Sequence, residues 1–168
     1  MKITEDSNNI YIEDYTIPKG QEKTDIKTRE NIVWAMLGKW LSKNPLKRKK
    51  NADLKDYIYL RFDGMQETVN KAARSYKSTM AISELDFILA NAVKIDTDKP
   101  KSKRQEKFIE MLIMSAETAM FLPYFDKVKM LNTQQQMQGT VRRMRGKYPY
   151  RIFKVWEASV GLGKETDY

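Results

Sequence analysis

The chain has 168 residues, of which 41% are hydrophobic and 32% charged, a balance that closes a substantial core and excludes a wholly disordered protein. It contains no cysteine and no histidine, which excludes disulfides, thiolate or imidazole metal sites, and any triad that needs an imidazole base. Lysine and arginine outnumber the acids 31 to 22, and the formal net charge of +9 favours phosphate-rich partners.

In chain order, residues 1–27 show little periodicity. Ile10-Tyr11-Ile12 reads as a short edge strand, and Pro18-Lys19-Gly20 as a turn. A helix is predicted from Thr28, its N-cap, with Ile32, Val33, Met36, Leu37, Trp40 and Leu41 on its apolar side. Asn44-Pro45 ends it, and the basic run Lys47-Arg48-Lys49-Lys50 reads as an exposed loop. Tyr57 to Phe62 reads as a strand with Ile58, Leu60 and Phe62 on one face and Tyr57, Tyr59 and Arg61 on the other. Asp63-Gly64 turns the chain, and Asp63 with Gln66 resembles a capping box opening a helix that carries Met65, Val69, Ala72, Ala73 and Tyr76. Ser83 and Asp86 open a further helix with Leu85, Ile88, Leu89 and Ala92 inward.

Residues 105–121 fit a helix or a buried strand, and propensity favours helix. Lys127 to Leu131 reads as a strand, Gln134-Gln135-Gln136 as loop. Thr140–Met144 and Tyr148–Trp156 read as two strands joined across Arg145-Gly146-Lys147. Helices first and strands late predict an α+β fold, with N-terminal and central helices packed on a C-terminal antiparallel sheet. The predicted organisation is a poorly periodic segment at 1–27, one domain at 28–160 and a loose tail at 161–168.

Charge is unevenly distributed. Residues 1–26 carry six acids against Lys2, Lys19 and Lys23, whereas residues 127–156 carry eight lysines and arginines and no acid. A solvated face normally mixes both signs, so the late hairpin is the candidate nucleic-acid surface. Its residues are Arg142, Arg143, Arg145, Lys147, Tyr148, Tyr150 and Arg151, cations for phosphates and rings for unpaired bases. Strand alternation prevents all of them from sharing one face, and ordinary packing under a basic exterior is the alternative.

A second constellation lies at Lys71, Arg74, Tyr76 and Lys77, where helical spacing would align three cations. Such a row, with Arg61, would stabilise charge on a scissile phosphate, and Tyr76 would move protons if its neighbours lowered its pKa. The blander alternative, a solvated basic helix face, is the commoner outcome. Asp96 and Asp98 alone make a poor metal site, and no nucleotide-binding or calcium-binding motif is present. No cofactor and no metal is expected. No apolar run reaches the roughly 18 residues that span a bilayer. The opening MKITEDSNNI has no charged-then-apolar signal pattern, so export is not expected, and no membrane partner is expected either.

The stretch from Tyr57 to Ile95 runs strand, Met65-Gln66-Glu67-Thr68-Val69, a basic helix, then Ala81-Ile82-Ser83-Glu84-Leu85 and Ile88-Leu89-Ala90-Asn91-Ala92-Val93. This order resembles the nuclease-like domains in large polyvalent proteins of phages and conjugative elements, within the barnase/EndoU/colicin/RelE group. The resemblance implies helices preceding a curved antiparallel sheet, RNA lying across that sheet, and strand at 105–114. It makes a histidine-free active site built on Lys, Arg and Tyr tolerable, and a metal-independent ribonuclease would then have Arg61, Lys71, Arg74, Tyr76 and Lys77 as its catalytic candidates; the expected setting is the cytoplasm of a bacterial host. Asp63-Gly64-Met65 departs from the basic residue such domains often carry after the first strand, which sets catalysis in question. The expectation is a nucleic-acid-binding protein of a phage or mobile element, RNA favoured over DNA, with ribonuclease activity as its enzymatic form. The alternative is a non-catalytic protein that meets a host or virion protein through its basic surface.

Overall fold

The structure is a computed structural model that describes residues 3–98, 108–117, 135–144 and 150–160. Three short strands open it: β1 (Ile3–Glu5), β2 (Asn9–Ile12) and β3 (Tyr15–Pro18), an antiparallel meander. Asp6 shapes the first turn, its Oδ1 accepting the backbone N–H of Asn8 and of Asn9, both at 2.8 Å. Ile10, Ile12 and Ile17 are fully buried and join the same core as the helices.

Helix α1 (Lys23–Lys43) begins earlier than the predicted Thr28. The N–H of Glu22 donates to Asp25 Oδ2 at 3.2 Å at its start, whereas Thr28 lies inside and gives its hydroxyl to the Thr24 carbonyl at 2.9 Å. Its inward side is Val33, Met36, Leu37 and Trp40, as the periodicity predicts. Asn44 closes it by donating from both backbone and side chain to the Trp40 carbonyl.

The basic run predicted as a loop is instead partly strand. β4 (Arg48–Asn51) pairs antiparallel with β5 (Asp56–Tyr59). Buried Asn51 secures the hairpin, its Nδ2 donating to the carbonyls of Leu89 and Ala92 and its Oδ1 accepting from the N–H of Leu54. Then come α2 (Phe62–Ala72), α3 (Tyr76–Ala81), a 3₁₀ turn at Ile82–Glu84 and α4 (Leu85–Asn91). Leu85, Ile88, Leu89 and Ala92 are buried as predicted. Phe62 is not on the strand's apolar face. It starts α2 and is 67% exposed, with Arg61 as N-cap in place of Asp63.

The last strands are β6 (Val93–Asp98), β7 (Phe108–Glu117), β8 (Gln135–Met144) and β9 (Tyr150–Val160). Residues 108–117 are therefore strand, not helix: pairing on both sides, with β6 and β8, overrides the helical propensity of Glu, Met and Leu. Gln135 and Gln136 are strand as well, facing Val160 and Ser159 of β9. Asp96 and Asp98 lie in β6. The predicted strand at 127–131, the connection at 145–147 and the tail at 161–168 lie outside the described residues.

The protein is α+β, but a single C-terminal antiparallel sheet is not what it builds. There are two sheets among the described residues, one N-terminal and three-stranded, the other six-stranded in the order β4-β5-β9-β8-β7-β6. The larger sheet draws β4 and β5 from the first half of the chain, and β5 runs parallel to β9 while its other neighbours pair antiparallel. A parallel contact between strands so distant in sequence leaves no local trace, because each strand reads alike whichever neighbour it has. Among the described residues, no helix is long and apolar enough to cross a membrane.

Candidate nucleic-acid interface

The sheet register assembles a row of arginines from two separate parts of the sequence, joined across Tyr59. Arg48 pairs with Tyr59, Tyr59 with Arg151, and Arg151 with Arg142, a lateral line across β4, β5, β9 and β8. The next line holds Lys49, Ile58, Tyr150, Arg143 and, on β7, Glu110. The hairpin thus meets a second basic strand that sequence reading set aside as loop.

Local contacts order the β4 end. The Arg48 guanidinium lies 4.0 Å from the centroid of the Tyr57 ring, and its Nη1 donates to the Tyr59 hydroxyl at 3.2 Å. A cation held over a ring face loses little further freedom when it meets an anion.

Arg142, at the other end, differs from the expected outward arginine. Its side chain is only 22% exposed and its Nη1 lies 3.7 Å from Asp63 Oδ2 in the first turn of α2. Burial lowers its pKa, and the carboxylates of Asp63 and Glu67 oppose that effect. An arginine keeps its charge throughout. Arg142 therefore ties the sheet to α2 as well as adding positive charge. Tyr150 is half-buried and packs against the core, so it is no freely exposed stacking ring. Two register shifts between β8 and β9 break the strict alternation on which the predicted division of the hairpin's faces depended. Arg145, Lys147 and Tyr148 lie outside the described residues.

The catalytic candidates do not form one row. Arg61 caps the N-terminus of α2 and Lys71 lies in its last turn, about 15 Å further along the axis at 1.5 Å per residue. Arg74 falls between α2 and α3, and Ser75 restarts the helix, its Oγ accepting the N–H of Ser78 at 3.0 Å. Tyr76 and Lys77 belong to the first turn of α3. Tyr76 packs against the core, with Lys19 Nζ 5.7 Å from its ring centroid. The break at Ala73–Ser75 abolishes the helical spacing that would have aligned the cations.

Comparison with protein-family models, with curated proteins and with solved structures finds no match. The resemblance to nuclease-like domains accordingly rests on the residues from Tyr57 to Ile95 alone.

Beside the arginine row opens a cleft of about 840 Å³ lined by Leu41, Leu46, Lys47, Tyr59, Leu60, Arg61, Phe62, Asp63 and Met65. Of these, sequence reading singled out only Arg61 as a site residue. The available signal was the turn chemistry of Asn44-Pro45, which leads into Lys47, and the helix start hidden in Phe62-Asp63-Gly64. Lys47 takes φ 56, a left-handed conformation uncommon for lysine. It is held there on both sides: its N–H donates to the Asn44 carbonyl at 2.8 Å, and its carbonyl accepts from Leu60 at 2.9 Å. Among the described residues, no group of three or more acidic side chains is placed to hold a metal ion.

Proposed function

We propose that this protein binds single-stranded nucleic acid, RNA in preference to DNA, without cleaving it. The observation that carries the reading is the lateral line Arg48–Tyr59–Arg151–Arg142, which brings one arginine of the first half of the chain into register, across Tyr59, with two of the late hairpin. The net charge of +9 supports it, since an excess of cations draws in phosphates at long range. Tyr57, Tyr59 and Phe62 beside those cations suit unpaired bases better than a duplex, and side chains read RNA bases mainly where they are unpaired. Arg48 and, by its register position, Arg151 would carry phosphate contacts, with Arg142 steadying the surface. The separation of Arg61, Lys71, Arg74 and Tyr76 is the ground for preferring binding over cleavage. A phage or mobile-element setting rests on the resemblance from Tyr57 to Ile95.

The test is fluorescence anisotropy of a labelled RNA strand across a salt series. Affinity should fall steeply with salt, and Arg48→Gln with Arg151→Gln should reduce the log–log slope by about 0.7 for each phosphate that is no longer neutralised. No binding at low salt would reject the reading. Cleavage of the same strand in the presence of EDTA would replace it with a metal-independent ribonuclease.

A further inference from the structure

From the cleft beside the arginine row we infer that one unpaired nucleobase is seated there, its ring against Phe62 and its flanking phosphates on Lys47 and Arg61. This inference rests on the nucleic-acid reading above and adds to it the place where a base is held. The cleft has the size of a small-ligand site, within the several-hundred Å³ range such sites occupy. Its wall is mainly apolar, with two cations among its lining residues. Leu41, Leu46, Leu60 and Met65 form an apolar lining, Tyr59 and Phe62 add rings, and Lys47 and Arg61 stand against one acid, Asp63. A plain aliphatic chain would match the apolar lining but not the cations. An uncharged ring would make no use of Lys47 and Arg61, which are exposed at the cleft. A flat base joined to phosphates matches both parts, with π-face to ring and anion to cation.

The ring is set in advance. Phe62 is 67% exposed, yet it stacks on Trp34 with centroids 5.9 Å apart and planes 26° from parallel. A ring already oriented by a neighbour gives up less freedom when a base stacks on it. The Lys47 backbone is held by its two hydrogen bonds, which fixes where its side chain leaves the main chain. Asp63 already accepts the N–H of Gly64 through Oδ1 and lies 3.7 Å from Arg142 through Oδ2, so the cleft is tied to the end of the arginine row. One strand running along β4, β5, β9 and β8 would therefore pass the mouth of the cleft.

The experiment compares the full chain's affinity for a short labelled RNA strand with its affinity for the same strand lacking every base. The intact strand should bind at least about tenfold more tightly, the contribution expected from one stacked base. Phe62→Ala should narrow that difference by about tenfold and leave the base-free strand unchanged, whereas Phe62→Tyr should restore it. Exposure of Phe62 makes the alanine variant compatible with folding, and its thermal melting curve checks this. Equal affinity for both strands in the natural protein overturns the base seat while leaving the nucleic-acid reading intact. Absence of binding to either strand overturns both. Displacement of the intact strand by an acidic peptide with apolar side chains, undiminished in Phe62→Ala, would assign the cleft to a protein partner and also overturn the base seat.

Discussion

Arg29 is fully buried on α1, yet its direct hydrogen bonds run mainly to backbone. Its Nε donates to the Ala73 carbonyl at 2.7 Å, and its Nη1 to the carbonyls of Pro18 and Gly20 at 2.7 and 2.6 Å. Burial lowers its pKa, with Asp25 opposing, but three carbonyl dipoles compensate the charge and pin the end of the N-terminal sheet to the α2–α3 junction. Arg29→Met leaves those carbonyls unsatisfied and should cost about 3 kcal/mol or more, read from the midpoint of urea unfolding; Arg29→Lys should recover only part of it. Nothing in the sequence singled out this residue, because its partners are main-chain atoms that no side-chain pattern reveals. Asp6 gives a second residue-scale prediction. Hydrogen bonds from the Tyr11 hydroxyl and then from the N–H groups of Asn8 and Asn9 hold its carboxyl below the usual carboxylate range. A depressed carboxyl stabilises the fold above its unfolded pKa, and that contribution disappears as pH falls through the lower folded value. The N-terminal sheet should loosen in acid, and Asp6→Ala should flatten the acid limb of a stability–pH profile. An acid limb that survives the substitution would place the effect elsewhere.

At the scale of elements, Ser75 divides what the sequence presents as one basic helix. Its side-chain cap on Ser78 starts α3, and Ser75→Ala should lower stability by about 1 kcal/mol in thermal unfolding. Helix existence was legible from periodicity in α1 and α4, where inward residues recur every third or fourth position. Strand β7 was half legible: its apolar run fits a buried strand and the resemblance implies one at 105–114, but its Met and Leu content favours helix, and pairing with β6 and β8 makes it extended. The β4 strand was hidden for the opposite reason. Arg48-Lys49-Lys50 is charged throughout, but Arg48 lies against Tyr57 and Lys49 Nζ reaches Asp86 Oδ2 at 2.8 Å, so an edge strand accommodates what looks like loop. The candidate interface was half legible in consequence: the cations of β8 and β9 stood out as a run, while their partners on β4 did not.

For the whole molecule, the absence of histidine has a direct reading. With no imidazole to change charge near neutrality, nucleic-acid affinity should be nearly flat between about pH 6 and pH 8 at fixed salt. A marked pH step in anisotropy titrations over that interval would point to a carboxylate or amine of strongly shifted pKa at the interface. The charge bias was readable from composition, but its geometry was not, because the β5–β9 pairing that brings the two basic segments together is non-local. That same pairing has a consequence for how the protein is made. During synthesis on the ribosome the helices and the N-terminal meander emerge well before β9 does, so β5 has to wait with one flank open. Its closure is a long-loop event, entropically costly and slow compared with forming the helices. A nascent chain stalled before Tyr150 would carry a hairpin without its third strand, and that intermediate is where chaperone binding or misassembly should concentrate.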